Sequence, residues 1–308
     1  MKDTAPNPPE LLLGTAMWGW TVPEASCFQL LDAFYEAGLR GVDGATNYPI
    51  NKVPEDFRKS EHILQKWIRA NGVNDLRITM KVGSLNNLRS PECNLSKAFL
   101  LFCAEEYAAM FGKNLETLMV HWDNRETPEE IAETLEALSE IVKMGYGAGL
   151  SGIRHPEIYK AQNERFKLDF SIQMKHNFLQ SDYAHYEAFH GQKCFYAYGI
   201  NAGGLKLNAK EYDTNSSLHV RGGDTSNTAP LLQNLSDFLE MTAKDTPIQS
   251  LNHLGMLHAF YHPDMAGLLI GVSSLEQLTD SLTCYKALYQ HDYRSLYDRL
   301  LHLQQNHA

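Results

Sequence analysis

The apolar positions of this chain fall into two alternating patterns. Short, mostly apolar runs at 12–17, 41–45, 78–82, 118–121, 147–151, 170–173, 195–198 and 268–272 read as β-strands. Between them lie segments with the one-face spacing of amphipathic helices. In the first, Thr21 and Glu24 are placed to form a capping box, Cys27, Leu30, Leu31 and Phe34 share a face, and Gly38 is the stop. Another opens with Thr127-Pro-Glu-Glu130, proline taking the first helical position, and carries Ile131, Leu135, Leu138 and Val142 as its buried stripe before Gly145.

Eight strands alternating with helices predict a parallel α/β architecture, and the number and length suit a single-domain (β/α)8 TIM barrel over residues 1–308. An open doubly wound sheet is the competitor. It expects a Gly-x-Gly-x-x-Gly string after an early strand, and Gly203 and Gly204 are too late and too few for that. Residues 205–229, rich in Asn, Ser, Thr and Gly, interrupt the alternation after the seventh strand. In a barrel such a loop belongs to the catalytic face, either as a flap over cofactor or substrate or as a plain insertion.

Composition narrows the partners. With 308 residues, 44% of them hydrophobic, the chain can bury a large core, and a formal net charge of -10 argues against nucleic acid or an anionic membrane surface. No run approaches the ~20 apolar residues of a membrane helix, and the first ten residues lack a signal-peptide core, so the expectation is a cytoplasmic protein. Five scattered cysteines with no Cys-x-x-Cys pair predict reduced packing residues rather than disulfides or zinc. His258 and His262, one helical turn apart, with His253 nearby, invite a metal reading, but no glutamate stands in zinc-protease spacing, and packing or surface roles account for them. Neither a Walker loop nor a nucleophile elbow occurs.

Four residues on or just beyond the predicted strands carry the candidate chemistry. Asp43 and Tyr48 lie in Gly38-Leu-Arg-Gly-Val-Asp-Gly-Ala-Thr-Asn-Tyr48, Lys81 in Ile78-Thr-Met-Lys-Val-Gly83, and His121 in Leu118-Met-Val-His-Trp-Asp-Asn124. Strand ends of a barrel converge on one mouth, so these residues would meet there. A phenol, with a reference pKa of ~10, is a poor acid near neutrality unless a cation stabilises its anion, and Lys81 is the available cation.

Together these strings resemble the aldo-keto reductase family. The resemblance implies an NADP(H)- or NAD(H)-dependent oxidoreductase in which Tyr48 delivers the proton, Lys81 lowers its pKa, Asp43 anchors Lys81, and neutral His121 orients a substrate carbonyl, its tautomer set by a partner on its other nitrogen. It extends to Gly14-Thr-Ala-Met-Trp-Gly-Trp20, which implies cofactor contacts at Thr15 and Ala16 and substrate contacts at Trp18 and Trp20, joined by Trp122 as an aromatic wall. Ser151 and Gln173 match the positions that hold the nicotinamide carboxamide, and Tyr198, followed by Gly199, the one that stacks on its ring. Ile270-Gly-Val-Ser-Ser-Leu-Glu-Gln-Leu278 resembles the segment that grips the adenosine end, with Gly271, Ser273, Ser274 and Gln277 as contacts.

Two departures bear on the cofactor. Gly152 stands where members commonly have Asn, and no cation occupies the eighth-strand segment, which leaves Arg221 or another loop cation as the candidate for a 2′-phosphate. The implied substrate is a small carbonyl compound or sugar. An oxidative sugar or polyol dehydrogenase is an alternative that Asn86, Asn87, Asp123 and Asn124 near the mouth would suit. A cofactor-binding sensor or accessory subunit, of which the family's potassium-channel β subunits are an illustration, is another.

Overall fold

The computed structural model describes residues 8–212, 214–223 and 230–305, so residue 213 and residues 224–229 of the 205–229 segment lie outside the described residues. Eight parallel strands, β1 (Glu10–Gly14), β2 (Gly41–Ala45), β3 (Arg77–Val82), β4 (Leu115–His121), β5 (Gly147–Ser151), β6 (Ser171–Lys175), β7 (Phe195–Tyr198) and β8 (Met265–Ile270), close in sequence order into a barrel, β1 pairing with β8. The helices around it are α1 (Glu24–Glu36), α2 (Lys59–Asn71), α3 (Lys97–Phe111), α4 (Pro128–Lys143), α5 (Pro156–Phe166), the single turn α6 (Ser217–Val220), α7 (Pro230–Thr242), α8 (Leu251–Phe260), α9 (Leu275–Gln290) and α10 (Arg294–Gln305). Between β6 and β7 a 3₁₀ segment, Tyr183–Phe189, replaces the expected helix.

Strand ends moved where tertiary hydrogen bonds overrode the apolar pattern. β1 stops at Gly14 because Thr15 N–H donates to Asp43 O and the chain then turns, Trp18 N–H donating back to Thr15 O. The run at 12–17 is therefore half strand and half loop. β6 runs on to Lys175, which pairs with Tyr198, and β8 ends before Gly271.

The helix faces were legible, and two details were not. Cys27, Leu30, Leu31 and Phe34 are buried, but α1 begins at Glu24 after an extended Pro23 that makes no side-chain cap, so the expected Thr21–Glu24 capping box does not form. Thr21 lies too far upstream of the first turn. In α4, Ile131, Leu135 and Leu138 are buried as expected, while Ile141 turns inward in place of Val142, which is 39% exposed. At 100° per residue both positions border the same stripe, and packing chose between them. Pairing in register then stacks the strand ends: Gly14 beside Asp43, Ala45 beside Lys81, and His121 beside Ser151 beside Gln173.

Candidate active site

Asp43 sits at the middle of β2, and Lys81 and His121 lie at the C-terminal ends of the next two strands, β3 and β4; the three are 2%, 1% and 4% exposed. Lys81 Nζ is paired directly with Asp43 Oδ2. The other carboxylate oxygen, Oδ1, accepts a hydrogen bond of 2.7 Å from Gln173 Nε2, so both oxygens of a buried carboxylate are satisfied, as burial demands. Tyr48 follows in the β2–α2 loop, its ring centroid 5.1 Å from Lys81 Nζ. Its backbone is sewn down on both sides, Tyr48 N–H donating to Ala45 O and Tyr48 O accepting from Ser60 N–H.

Burial dominates the protonation of this group. It pushes the Tyr48 phenol above its ordinary value, with Lys81 pulling the other way. Lys81 lowers the phenol's pKa as expected, but it offsets desolvation without overcoming it, so the net shift is upward. Lys81 itself is raised, because Asp43 and Tyr48 outweigh the desolvation that opposes its charge, so it remains an ammonium. His121 is held well below the usual imidazole range by burial and by the Lys81 charge, which makes it neutral. The partner expected for its second nitrogen is missing: Nδ1 is buried with no hydrogen bond among the described residues.

A second network fixes the loop that carries Tyr48. Tyr107 on α3 donates to Glu61 Oε2 at 2.6 Å and contacts Thr46 Oγ1 at 2.8 Å, and Thr46 binds Lys81 O through its N–H at 3.0 Å. Glu61 is buried on α2 beside Arg58, and burial pushes its carboxyl up to about 7. Nothing in the sequence strings marked this chain of contacts.

The aromatic residues divide. Trp122, at φ 61°, lies with its ring 4.5 Å from that of His121 and remains partly exposed. Trp20 is partly buried with Arg89 6.0 Å from its ring centroid. Trp18, expected in the substrate pocket, is enclosed at 0% exposure, its Nε1 buried with no hydrogen bond among the described residues. Asp123 and Asn87, offered for a polyhydroxylated substrate, are likewise consumed: Asp123 is gripped by Arg125 and Tyr159, and Asn87 ties the loops through Val53 O and Asn51. Asn86 bonds Ser90 and Glu92.

Of the residues matched to cofactor contacts, Thr15 gives its hydroxyl proton to Asp43 O, and Ala16 is half-buried beside it. Ser151 is buried, its carbonyl accepting from Trp122 N–H. Tyr198, half-buried, faces Tyr48 and Arg221, and Gly199 O accepts from Asn177 Nδ2. Ser273 and Ser274 bond Gln277, capping α9. Open space lies over Gly271. Gly152 has a plain reason: at φ 67°, a Cβ there would lie 2.6 Å from the Trp122 ring, so the asparagine common at that position would displace the indole. A dinucleotide fits these residues in one respect beyond the matches. Asn47, next to Tyr48, is 0% exposed with both carboxamide atoms unpartnered among the described residues, a costly state that a bound polar group would relieve. Asn47 was not singled out beforehand, although its place beside Tyr48 was a signal.

The histidine cluster is packing. His258 stacks on His176 at 4.4 Å, His262 meets His176 edge-on at 4.9 Å, and His253 bonds Asp280. Burial drives His176 to about 2 and His258 to about 4. No metal-competent group of side chains is found among the described residues. All five cysteines are free.

The model of the aldo/keto reductase family matches residues 10–300, the whole barrel. This chain belongs to the aldo/keto reductase family. Its members carry out NAD(P)-dependent oxidoreduction of carbonyl compounds, which makes this chain an oxidoreductase. A 78-residue stretch, 25% of the chain, is also 44% identical to an uncharacterized 11.2 kDa protein in the crtE 3′ region of Pseudescherichia vulneris, of which it covers 76%. No helix among the described residues is long and apolar enough to cross a membrane.

Proposed function

We propose that this aldo/keto reductase reduces small aldehydes, ketones or sugar-like carbonyl compounds with NADP(H) or NAD(H), with Tyr48 as the proton donor. The observation that supports this most is the continuous chain Gln173–Asp43–Lys81 ending beside the Tyr48 ring. The nicotinamide, when bound, supplies the hydride. Tyr48, protonated because its phenol is buried, gives its proton to the oxygen that becomes the alcohol, and Lys81 stabilises the phenolate left behind. Asp43 and Gln173 keep the ammonium from swinging away. His121, neutral and wedged against Trp122, donates a hydrogen bond that holds the carbonyl oxygen.

Cofactor choice follows from charge. Gly271, Ser273, Ser274 and Gln277 offer no cation to a 2′-phosphate, and Arg221 lies near Tyr48 and Tyr198 instead. A charge-assisted hydrogen bond is worth roughly 1.5–3 kcal/mol, so its absence should leave the two cofactors within about tenfold of each other. Tryptophan-fluorescence titration with each cofactor, followed by a panel of aldehydes, ketones and sugars, tests both statements. Cofactor quenching without turnover of any carbonyl would favour a sensor or accessory role, and a hundredfold preference for NADP(H) would reveal a phosphate-binding cation elsewhere.

A further inference from the structure

Trp122 holds a backbone conformation that residues with side chains rarely adopt. At φ 61° it is left-handed, a costly state that persists only where the surrounding structure enforces it. On one side Trp122 N–H donates to Ser151 O at 2.9 Å, and on the other Asp123 O accepts from Arg154 N–H at 2.9 Å. The indole fills the space that a Cβ on Gly152 would take. Its ring lies 4.5 Å from that of His121, whose ring also meets that of Tyr48 edge-on at 6.2 Å.

What holds this segment is the side chain of Asp123, which is wholly enclosed and bonded at both oxygens. Oδ1 accepts from Arg125 N–H and Nε, each at 2.9 Å, and Oδ2 accepts from Arg125 Nη2 at 2.9 Å and from the Tyr159 hydroxyl at 2.6 Å. Tyr159, in the first turn of α5, is 0% exposed, and burial, then Asp123, pushes its phenol well above the ordinary value, so it stays a donor. Arg125 Nη2 also donates to Thr134 Oγ1 on α4 at 2.7 Å, and Thr134 donates to Leu95 O at 2.9 Å. Leu95 packs against Gly83, where an added Cβ would also meet His121 O at 3.3 Å. Replacing a buried ion pair by apolar side chains is often neutral or stabilising, so stability alone is a weak reason for four bonds on a buried carboxylate. Its place is a better one: the clamp joins α4, α5 and the β3–α3 loop at the residue next to Trp122.

We propose that Asp123, held by Arg125 and Tyr159, is a positioning residue that keeps Trp122 left-handed and, through the indole, aims the His121 ring at the substrate carbonyl. This rests on the reading of His121 as the donor that holds the carbonyl oxygen, and it adds what orients that donor. Asp123, Arg125 and Tyr159 act through Trp122 and His121 rather than on the substrate. The leverage is large, because a misplacement of ~1 Å at a reacting group can cost about 100-fold in rate.

The test uses Tyr159→Phe, which removes one bond and keeps the ring, and Asp123→Ala, which removes the clamp. With saturating cofactor, kcat for a small aldehyde should fall about tenfold in Tyr159→Phe and about 100-fold in Asp123→Ala, with cofactor Kd unchanged. Asp123→Asn, which keeps the bonds at Oδ1, should recover part of the loss. In a His121→Gln background Tyr159→Phe should cost less than about twofold, because the group through which it acts is gone. The 19F spectrum of protein labelled with 5-fluorotryptophan gives a readout free of turnover: the Trp122 signal, assigned by Trp122→Phe, should shift or broaden in Tyr159→Phe. That change in a protein that reduces no aldehyde upholds the clamp, and only the catalytic reading fails. Should Asp123→Ala not fold, Tyr159→Phe carries the test alone. An unmoved Trp122 signal, an unchanged kcat in an active enzyme, or an equal loss of kcat in the two backgrounds overturns the proposal.

Discussion

Gln173 and Asp43, 130 residues apart, are joined across the barrel by a hydrogen bond of 2.7 Å. The bond completes the coordination of a carboxylate whose other oxygen holds Lys81. Gln173→Leu should therefore cost about 1.5–3 kcal/mol of stability, the scale for a buried charge losing a hydrogen bond. It should also lower kcat by loosening Lys81. Urea unfolding and steady-state rates on one preparation check this, and a variant equal to wild type in both would show that the bond is idle.

Tyr48→Phe keeps the ring beside His121 and removes the proton. Turnover of a small aldehyde should fall by about 100-fold or more, while cofactor quenching persists. Near-normal turnover would move the acid role elsewhere.

Lys81→Met removes the cation that partly offsets the burial of Tyr48. The phenol should then hold its proton to still higher pH, so in alcohol oxidation, which needs the phenolate, the rising limb of the pH profile should move upward. Because the single change strands Asp43 as an unpaired buried charge, at a cost of roughly 3–5 kcal/mol, Asp43→Asn/Lys81→Met is the better-folded partner for the same profile. A limb that stays in place would make Lys81 a structural ion-pair member only.

Glu61 gives a stability prediction with a definite sign. Its folded pKa, about 7, lies above the ordinary value of 4.5, so the folded state holds the proton more tightly. The stabilisation is complete below pH 4.5 and is lost as pH rises through 7, a change of roughly 3 kcal/mol at most. Glu61→Gln, which cannot ionise, should flatten this part of the curve. Thermal melts of both proteins at pH 5, 6, 7 and 8 measure it, and parallel curves would show that Arg58 and Tyr107 already keep Glu61 ionised.

The sequence by itself determined the barrel, its eight strands in order and the members of the Asp43, Tyr48, Lys81 and His121 set. Those depend on local periodicity and on strings short enough to read directly, such as the apolar run ending in Lys81. It could not show that Trp18 is enclosed while Trp20 stays partly exposed, because two indoles two positions apart differ only in what the returning loops leave uncovered. Nor could it assign Ile141 rather than Val142 to the core, or pair Glu61 with Tyr107. The sign of the Tyr48 shift, the Gln173–Asp43 bond and the meeting of Asp123 with Tyr159 also needed the folded chain. Desolvation and long-range hydrogen bonds depend on which groups closure of the barrel brings together, and a linear pattern carries no record of that.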